Sequence, residues 1–144
     1  MFKFINTILE TQSSFDIILI QELSWFSIHA ILSLKNKEGK ELVGVPNHPN
    51  WMIFSRNFSQ TNDSLRVITY INIRLSSLCF SLWKDIFNYR DISCISFFNC
   101  SSVYFLINVY SDSFQLALKY LKDIEVNIEN TLIITGDFNI RDSI

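Results

Sequence analysis

Apolar residues recur at helical spacing in two segments of the chain. The apolar members of the first segment are Phe4, Ile5, Ile8 and Leu9. They share one face of a short amphipathic helix that we expect to end near residues 12–14. The apolar members of the second segment are Phe114, Leu118, Leu121 and Ile124. They predict a helix from Ser113 to about Asn130, with the Ser113 hydroxyl suited to cap its first turn.

Between and after these helices, apolar and alternating runs predict strands. The runs cover residues 16–22, 42–45, 51–54, 66–74, 92–98, 103–110 and 131–139. The first is a short continuous apolar run with an acidic end, which is typical of a strand covered on both faces. The order is helix, strand, a set of antiparallel strands, helix, strand. This order predicts an α/β fold: a layered α/β sandwich of two β-sheets flanked by helices.

Length and composition restrict the class of protein. The chain has 144 residues and a mass of 16.9 kDa, which is enough for one domain with a hydrophobic core. Hydrophobic residues make up 49% and charged residues 18%, and this balance excludes a mainly disordered chain. The net charge of −2 provides no global basic field, so binding to nucleic acid would need a local site.

Two features bear on the cellular compartment. The cysteines, Cys79, Cys94 and Cys100, are odd in number and have no C-x-x-C spacing, so we expect reduced core residues in an intracellular protein. Residues 92–110 contain no charged side chain, and a hydropathy window could read them as a membrane helix. Their β-branched and aromatic residues and the polar centre at 99–102 favour two buried strands joined by a turn. We therefore expect no membrane association.

Two predicted strands end in polar groups that could carry chemistry. Glu22 lies on the same side of its strand as Ile18 and Ile20, at the carboxyl end where open α/β sheets bind ligands. The alternative is a carboxylate that simply leaves the core for water. Asp137 and Asn139 are two positions apart, so in an extended chain both side chains point the same way. The alternative for this pair is an ordinary turn.

In their order along the chain, these segments resemble a known superfamily. Residues 16–22 and 132–139 are similar to the "Q-E" and "G-D-F-N" blocks of the endonuclease/exonuclease/phosphatase superfamily, and residues 105–110 resemble its "N-x-Y" strand. Residues 66–71 look most like the endonuclease domains of LINE-type, non-LTR retrotransposons. The resemblance implies a deoxyribonuclease-like fold and a Mg²⁺-dependent phosphodiesterase that cuts DNA, fused to or acting with a reverse transcriptase. Such an enzyme would work in the nucleus.

The resemblance also implies roles for individual residues. Glu22 would be the main protein ligand of Mg²⁺ or Mn²⁺, and this is chemically reasonable because Mg²⁺ needs only one or two carboxylates. Asp137 would orient or deprotonate the attacking water, or help to neutralise the charge that develops on the phosphate. Asn139 would donate its amide to a phosphate oxygen, and Tyr110 would place its hydroxyl at the same phosphate.

Two further residues would support this site. Asn108 lies on the same strand face as Tyr110 and would buttress it. Ser113 stands where the superfamily usually has an Asn, three positions after the tyrosine. For Asn108 and Tyr110 the alternative is an ordinary place in a buried strand, with the tyrosine hydroxyl reaching solvent.

The chain also departs from the superfamily. A first strand carrying a metal-site Asn is missing before Glu22, and the closing Ser-Asp-His block would lie beyond Ile144. We therefore expect residues 1–144 to form a partial domain, incomplete at both ends and weakly active or inactive, because one positioned acid–base group contributes roughly 10²–10⁴-fold. The alternative is a non-catalytic α/β remnant or binding module in which the matched residues are structural.

Overall fold

A computed structural model of the chain describes residues 2–21, 29–31, 41–43, 45–55, 66–83, 89–112, 114–123 and 132–138. Within these ranges the chain forms two α-helices, a 3₁₀ helix at Ile73–Leu78 and nine strands. The helices are α1 (Phe2–Thr11) and α2 (Leu116–Asp123). The strands are β1 (Ile17–Ile20), β2 (His29–Ile31), β3 (Glu41–Val43), β4 (Trp51–Phe54), β5 (Ile68–Asn72), β6 (Ser81–Leu82), β7 (Ile92–Asn99), β8 (Ser102–Tyr110) and β9 (Leu132–Asp137).

Two sheets make up the body of the fold. One is antiparallel with strand order β1-β5-β4. The other has the order β6-β7-β8-β9 and is mixed, because β9 runs parallel to β8 while the other pairs are antiparallel. A separate antiparallel pair joins β2 to β3, and the sequence did not predict its first strand. The predicted α/β fold with two sheets and helices is confirmed.

Helix α1 covers one face of the three-stranded sheet. Its Ile5 and Leu9 are buried with Trp51 of β4 and Tyr70 of β5, and the Trp51 indole donates a hydrogen bond to the Leu9 carbonyl at 2.9 Å. The predicted apolar stripe is thus confirmed in its centre. Phe4, at the edge of the stripe, is 68% exposed, so the buried face is narrower than the sequence pattern indicated.

Helix α2 covers one face of the four-stranded sheet, but it begins later than predicted. Phe114 was expected in its buried stripe, yet it precedes the helix and is 72% exposed. The Asp112 side chain accepts a hydrogen bond from the Phe114 amide at 3.1 Å, and Gln115 has a φ of 52°. This turn delays the helix to Leu116, and Ala117 becomes its fully buried residue. The predicted cap Ser113 and residues 124–130 lie outside the described residues.

The alternating side chains of β8 reveal the order of the layers. Ile107 and Val109 pack in the cluster that contains Ala117 of α2. Asn108 points the opposite way, and its amide reaches the Ile20 and Ile68 carbonyls of the three-stranded sheet. The layers therefore run α1, three-stranded sheet, four-stranded sheet, α2. This is the layered sandwich expected from the sequence.

The uncharged segment 92–110 forms two strands. β7 and β8 pair along their length and are joined at Cys100, which has a φ of 57°. Within the described parts of the chain, no helix has the length and apolar character needed to cross a membrane. The strand interpretation of this segment is confirmed.

The cysteines differ from the expectation. All three are free thiols, but only Cys94 is buried, while Cys79 and Cys100 are exposed. The expected core location is therefore wrong for two of them. Both exposed cysteines have positive φ angles and lie where the chain leaves an element at the surface, because tight reversals are solvent-facing.

Candidate active site

Several strand ends meet at one edge of the sandwich. Because β1 and β5 are antiparallel, Ile20 at the end of β1 pairs with Ile68 at the start of β5. Strands β8 and β9 are parallel and end together, with Tyr110 paired to Asp137. β7 begins beside the end of β8 because these two strands are antiparallel. We call this the polar edge, defined by residues 20–21, 66–68, 89–91, 108–112 and 136–138.

Asn108 joins the two sheets at the polar edge. Its side chain is fully buried, and its amide nitrogen lies 3.1 Å from the Ile68 carbonyl and 3.4 Å from both the Ile20 carbonyl and the Thr69 hydroxyl. Its amide oxygen accepts a hydrogen bond from the Gln21 side chain at 2.7 Å. Buried amides need such partners, since an unsatisfied one costs stability. Asn108 thus ties β8 to the end of β1 and the start of β5.

Tyr110 and Asp137 lie on the same face of the four-stranded sheet. Tyr110 is two residues after Asn108, so both side chains face the other sheet. Asp137 is its register partner on β9, and partners across a parallel pair share a face. The Asp137 carbonyl also accepts a hydrogen bond from the Ser111 amide at 2.7 Å. The tyrosine is largely buried and the aspartate is exposed, so a polar ligand in solvent can reach the Asp137 carboxylate beside the tyrosine.

Gly136 permits the close approach of the two strands that carry this pair. A Cβ atom at this position would lie 1.9 Å from the Val109 carbonyl oxygen and 2.7 Å from its carbon. Both atoms belong to the backbone and cannot move aside. The glycine before Asp137 is therefore required by packing against β8, a reason separate from any role in turn formation.

A charged cluster that the sequence did not predict surrounds Tyr110. The Arg66 guanidinium carbon lies 5.3 Å from the centre of the Tyr110 ring. Its Nε lies 3.5 Å from Asp91, and another of its nitrogens lies 3.8 Å from Asp112. The Arg90 Nε lies 3.5 Å from the second oxygen of Asp91. Two cations and two anions thus form one network beside the tyrosine.

Asp91 is the buried member of this network. Its side chain is 1% exposed, against 26% for Arg66. Burial raises the pKa of the Asp91 carboxyl above its usual 3.8, while the charges of Arg66 and Arg90 offset part of this rise. The 3.5 Å contacts are at the long limit of hydrogen bonding, so the attraction is mainly electrostatic.

The sequence contains a weak signal for this cluster. Arg66 stands directly before the apolar positions 67–68, and Asp91 directly before the uncharged strand that begins at 92. A charge at a strand end is usually solvated, and nothing in the sequence relates these two positions. The relation requires the antiparallel register of β7 with β8 and the packing of the sheets, which bring both residues to Tyr110.

Three of the predicted site residues lie outside the described residues. These are Glu22, Asn139 and Ser113. Glu22 directly follows Gln21, and Asn139 comes two positions after Asp137, so their described neighbours lie at the polar edge. Within the described residues, no group of three or more His, Cys, Asp or Glu side chains is arranged to hold a metal ion.

Comparison with known proteins does not assign the chain to a family. No family model matches the sequence, and no curated protein matches it either. The polar edge places a phenol, which can donate a hydrogen bond, beside a solvent-facing carboxylate, which can accept one or bind a cation.

Proposed function

We propose that the chain is a Mg²⁺-dependent phosphodiesterase domain of the endonuclease/exonuclease/phosphatase type, most similar to the DNA endonuclease domains of LINE-type retrotransposons. The observation that carries this proposal is the pairing of Tyr110 with Asp137 at the carboxyl ends of two parallel strands. The hydrogen bond between Gln21 and Asn108 supports it, because it ties the chain just before Glu22 to the same edge.

The carboxylates of this proposal, Glu22 and Asp137, are oxygen donors of the kind that suits a magnesium ion. Mg²⁺ prefers hard oxygen ligands, keeps several of its waters and is commonly bound by one or two carboxylates. Glu22 would hold it, and Asp137 is the exposed carboxylate nearest in register to Tyr110. When bound, the ion would stabilise the negative charge that develops on the phosphate during hydrolysis.

The protein side chains would supply the remaining interactions. The Tyr110 hydroxyl would donate a hydrogen bond to a phosphate oxygen, and the Asn139 amide would donate a second. The Asp137 carboxylate would accept a hydrogen bond from the attacking water and orient it. Electrostatic stabilisation by these groups is the larger contribution, and proton transfer the smaller.

A low rate of hydrolysis is part of this proposal. The Asp-His pair of the superfamily has no counterpart at the polar edge among the described residues. His48 lies in the turn before β4, where its Nδ1 accepts a hydrogen bond from the Asn50 amide. β4 begins opposite Asn72, at the far end of β5 from Ile68. We expect the rate to be lower by roughly 10²–10⁴-fold than with such a pair in place.

A non-catalytic α/β remnant or binding module is the second candidate. Asn108 favours this candidate, because its side chain is buried and both its amide oxygen and its amide nitrogen form hydrogen bonds within the fold. It predicts that the matched residues affect stability alone.

Nicking of supercoiled plasmid DNA in the presence of Mg²⁺ separates the two candidates. We expect slow nicking by the wild-type chain, loss of nicking on addition of a chelator, and loss in Glu22→Ala and Asp137→Asn. Asp123→Asn, which changes an exposed carboxylate at the end of α2, should retain wild-type nicking. Soluble, folded wild-type protein that does not nick DNA would reject the catalytic proposal and favour the second candidate.

A further inference from the structure

We propose that Arg66 is a positioning residue for Tyr110, with its guanidinium packed on the tyrosine ring and held there by two carboxylates. The contribution of Arg66 to hydrolysis rests on the proposed function, in which the Tyr110 hydroxyl contacts the phosphate. The contact between the two side chains does not depend on that function, so it can be tested separately.

The geometry of the contact between Arg66 and Tyr110 supports this role. The guanidinium carbon lies 5.3 Å from the ring centre, within the distance of about 6 Å at which a cation and an aromatic face attract each other. Arg66 comes just before β5, and Tyr110 ends β8. The contact therefore crosses from one sheet to the other and restrains the last side chain of β8 against the three-stranded sheet.

A network of carboxylates holds the arginine in place. Asp91 contacts the Arg66 Nε, and Asp112 contacts a terminal nitrogen of the same guanidinium. The Asp91 carbonyl also accepts a hydrogen bond from the Tyr110 amide at 2.9 Å. Tyr110, Asp91 and Arg66 thus form a closed ring of contacts, in which the backbone and the aromatic ring of the tyrosine are both restrained.

The charges around Arg66 indicate whether this residue orients Tyr110 or binds the phosphate directly. An arginine that clamps a phosphate generally offers an uncompensated positive charge to the anion. Arg66 already faces two carboxylates, and Arg90 shares one of them. The network therefore contains two positive and two negative side chains. This compensation favours a role in which Arg66 orients Tyr110 over one in which it attracts DNA.

The role predicts a specific kinetic effect. Loss of the guanidinium would remove one of the contacts that hold the Tyr110 ring in its orientation, and a misplaced hydroxyl weakens an interaction made in the transition state. We expect Arg66→Met to lower kcat by about 3- to 10-fold with little change in KM. Arg66→Lys keeps the charge but lacks the planar group and should fall between the wild type and Arg66→Met.

The contact is tested without activity by nuclear magnetic resonance of the whole chain carrying ¹³C-labelled tyrosine, with the Tyr110 ring signal identified by its absence in Tyr110→Phe. Arg66→Met should shift this signal. The matched control is Arg74→Met, which removes an arginine paired with Asp16 beyond the opposite end of β5 and should leave the signal in place. If Arg66→Met does not fold, Arg66→Lys is measured instead. An unshifted signal in the folded variant would overturn the proposal.

Nicking kinetics then test the consequence for hydrolysis. A lower kcat with constant KM supports positioning. A higher KM with constant kcat would overturn it and assign Arg66 to phosphate binding. If the wild-type chain does not nick DNA, the proposed function fails, while the tyrosine signal still decides whether the Arg66 guanidinium packs on the Tyr110 ring.

Discussion

The side-chain amide of Gln21 donates a 2.7 Å hydrogen bond to the Asn108 amide oxygen, although the two residues are 87 positions apart in the sequence. This bond crosses from the three-stranded to the four-stranded sheet and lies at the polar edge. It sets the residue before Glu22 against the strand that carries Tyr110. The polar edge is therefore organised by a part-buried amide contact between the two sheets, and the same contact stabilises the fold.

Replacement of Asn108 should destabilise the protein strongly. Asn108→Ala removes the acceptor of the part-buried Gln21 amide and the donor to the buried Ile68 carbonyl, and it leaves both groups without these partners. We expect a loss of about 2–4 kcal/mol in the free energy of unfolding, measured by urea denaturation. Asn47→Ala changes an exposed amide and should cost less than about 0.5 kcal/mol. Equal effects of the two substitutions would contradict the role of Asn108 in joining the two sheets.

A methyl group at position 136 should separate β9 from β8. In Gly136→Ala the new Cβ would lie 1.9 Å from the Val109 carbonyl oxygen, so the strands must move apart. We expect a loss of about 1–3 kcal/mol or more in unfolding free energy and a loss of any nicking, because Asp137 follows directly. Ile133→Ala on the same strand truncates a side chain that is 46% exposed and serves as the control. A Gly136→Ala variant as stable as the wild type would show that the close contact is absent.

The stability contributed by Asp91 should depend on pH. Burial raises the pKa of its carboxyl in the folded state above 3.8, despite Arg66 and Arg90, and the nearby Asp112 adds to the rise. The folded chain therefore binds this proton more tightly than the unfolded chain, so stability falls as pH rises from about 3.8 through the folded pKa and is constant above it.

Melting temperatures of the wild type and Asp91→Asn at several pH values measure this contribution. We expect the melting temperature of the wild type to rise relative to that of Asp91→Asn as the pH falls from about 7 to about 4. Asp123→Asn, on the exposed end of α2, controls for general effects of acid. If the melting temperature of the wild type instead rises relative to that of Asp91→Asn with increasing pH, the charges of Arg66 and Arg90 lower the pKa of Asp91 by more than burial raises it.

The cysteines should react at two distinct rates. Burial raises the pKa of the Cys94 thiol to about 12, and the thiolate is the reactive form. Cys79 and Cys100 are exposed. A thiol reagent at neutral pH should therefore label Cys79 and Cys100 first, and Cys94 only in denaturant. Mass spectrometry after timed labelling measures this order, and early modification of Cys94 would show that its strand is open.

Much of the local structure could be predicted from the sequence. The strand β1 and the long pair β7 and β8 could be predicted because short apolar runs, and runs rich in β-branched and aromatic residues, favour buried strands. The buried centre of α1, at Ile5 and Leu9, followed from helical spacing in the same way. Local chemistry that lacks a periodic signal escaped prediction, as the Asp112 turn that delays α2 shows.

The contacts around Tyr110 could be identified only from the tertiary structure. The sequence by itself determined which strands end in polar groups, because an apolar run must stop where the chain meets water. It could not pair Arg66 with Asp91, or Gln21 with Asn108, since these contacts join positions far apart in the chain. The register of β7 and β9 on β8, and the packing of one sheet on the other, decide which polar ends meet. Long-range packing therefore creates the polar edge from side chains that no sequence pattern relates to one another.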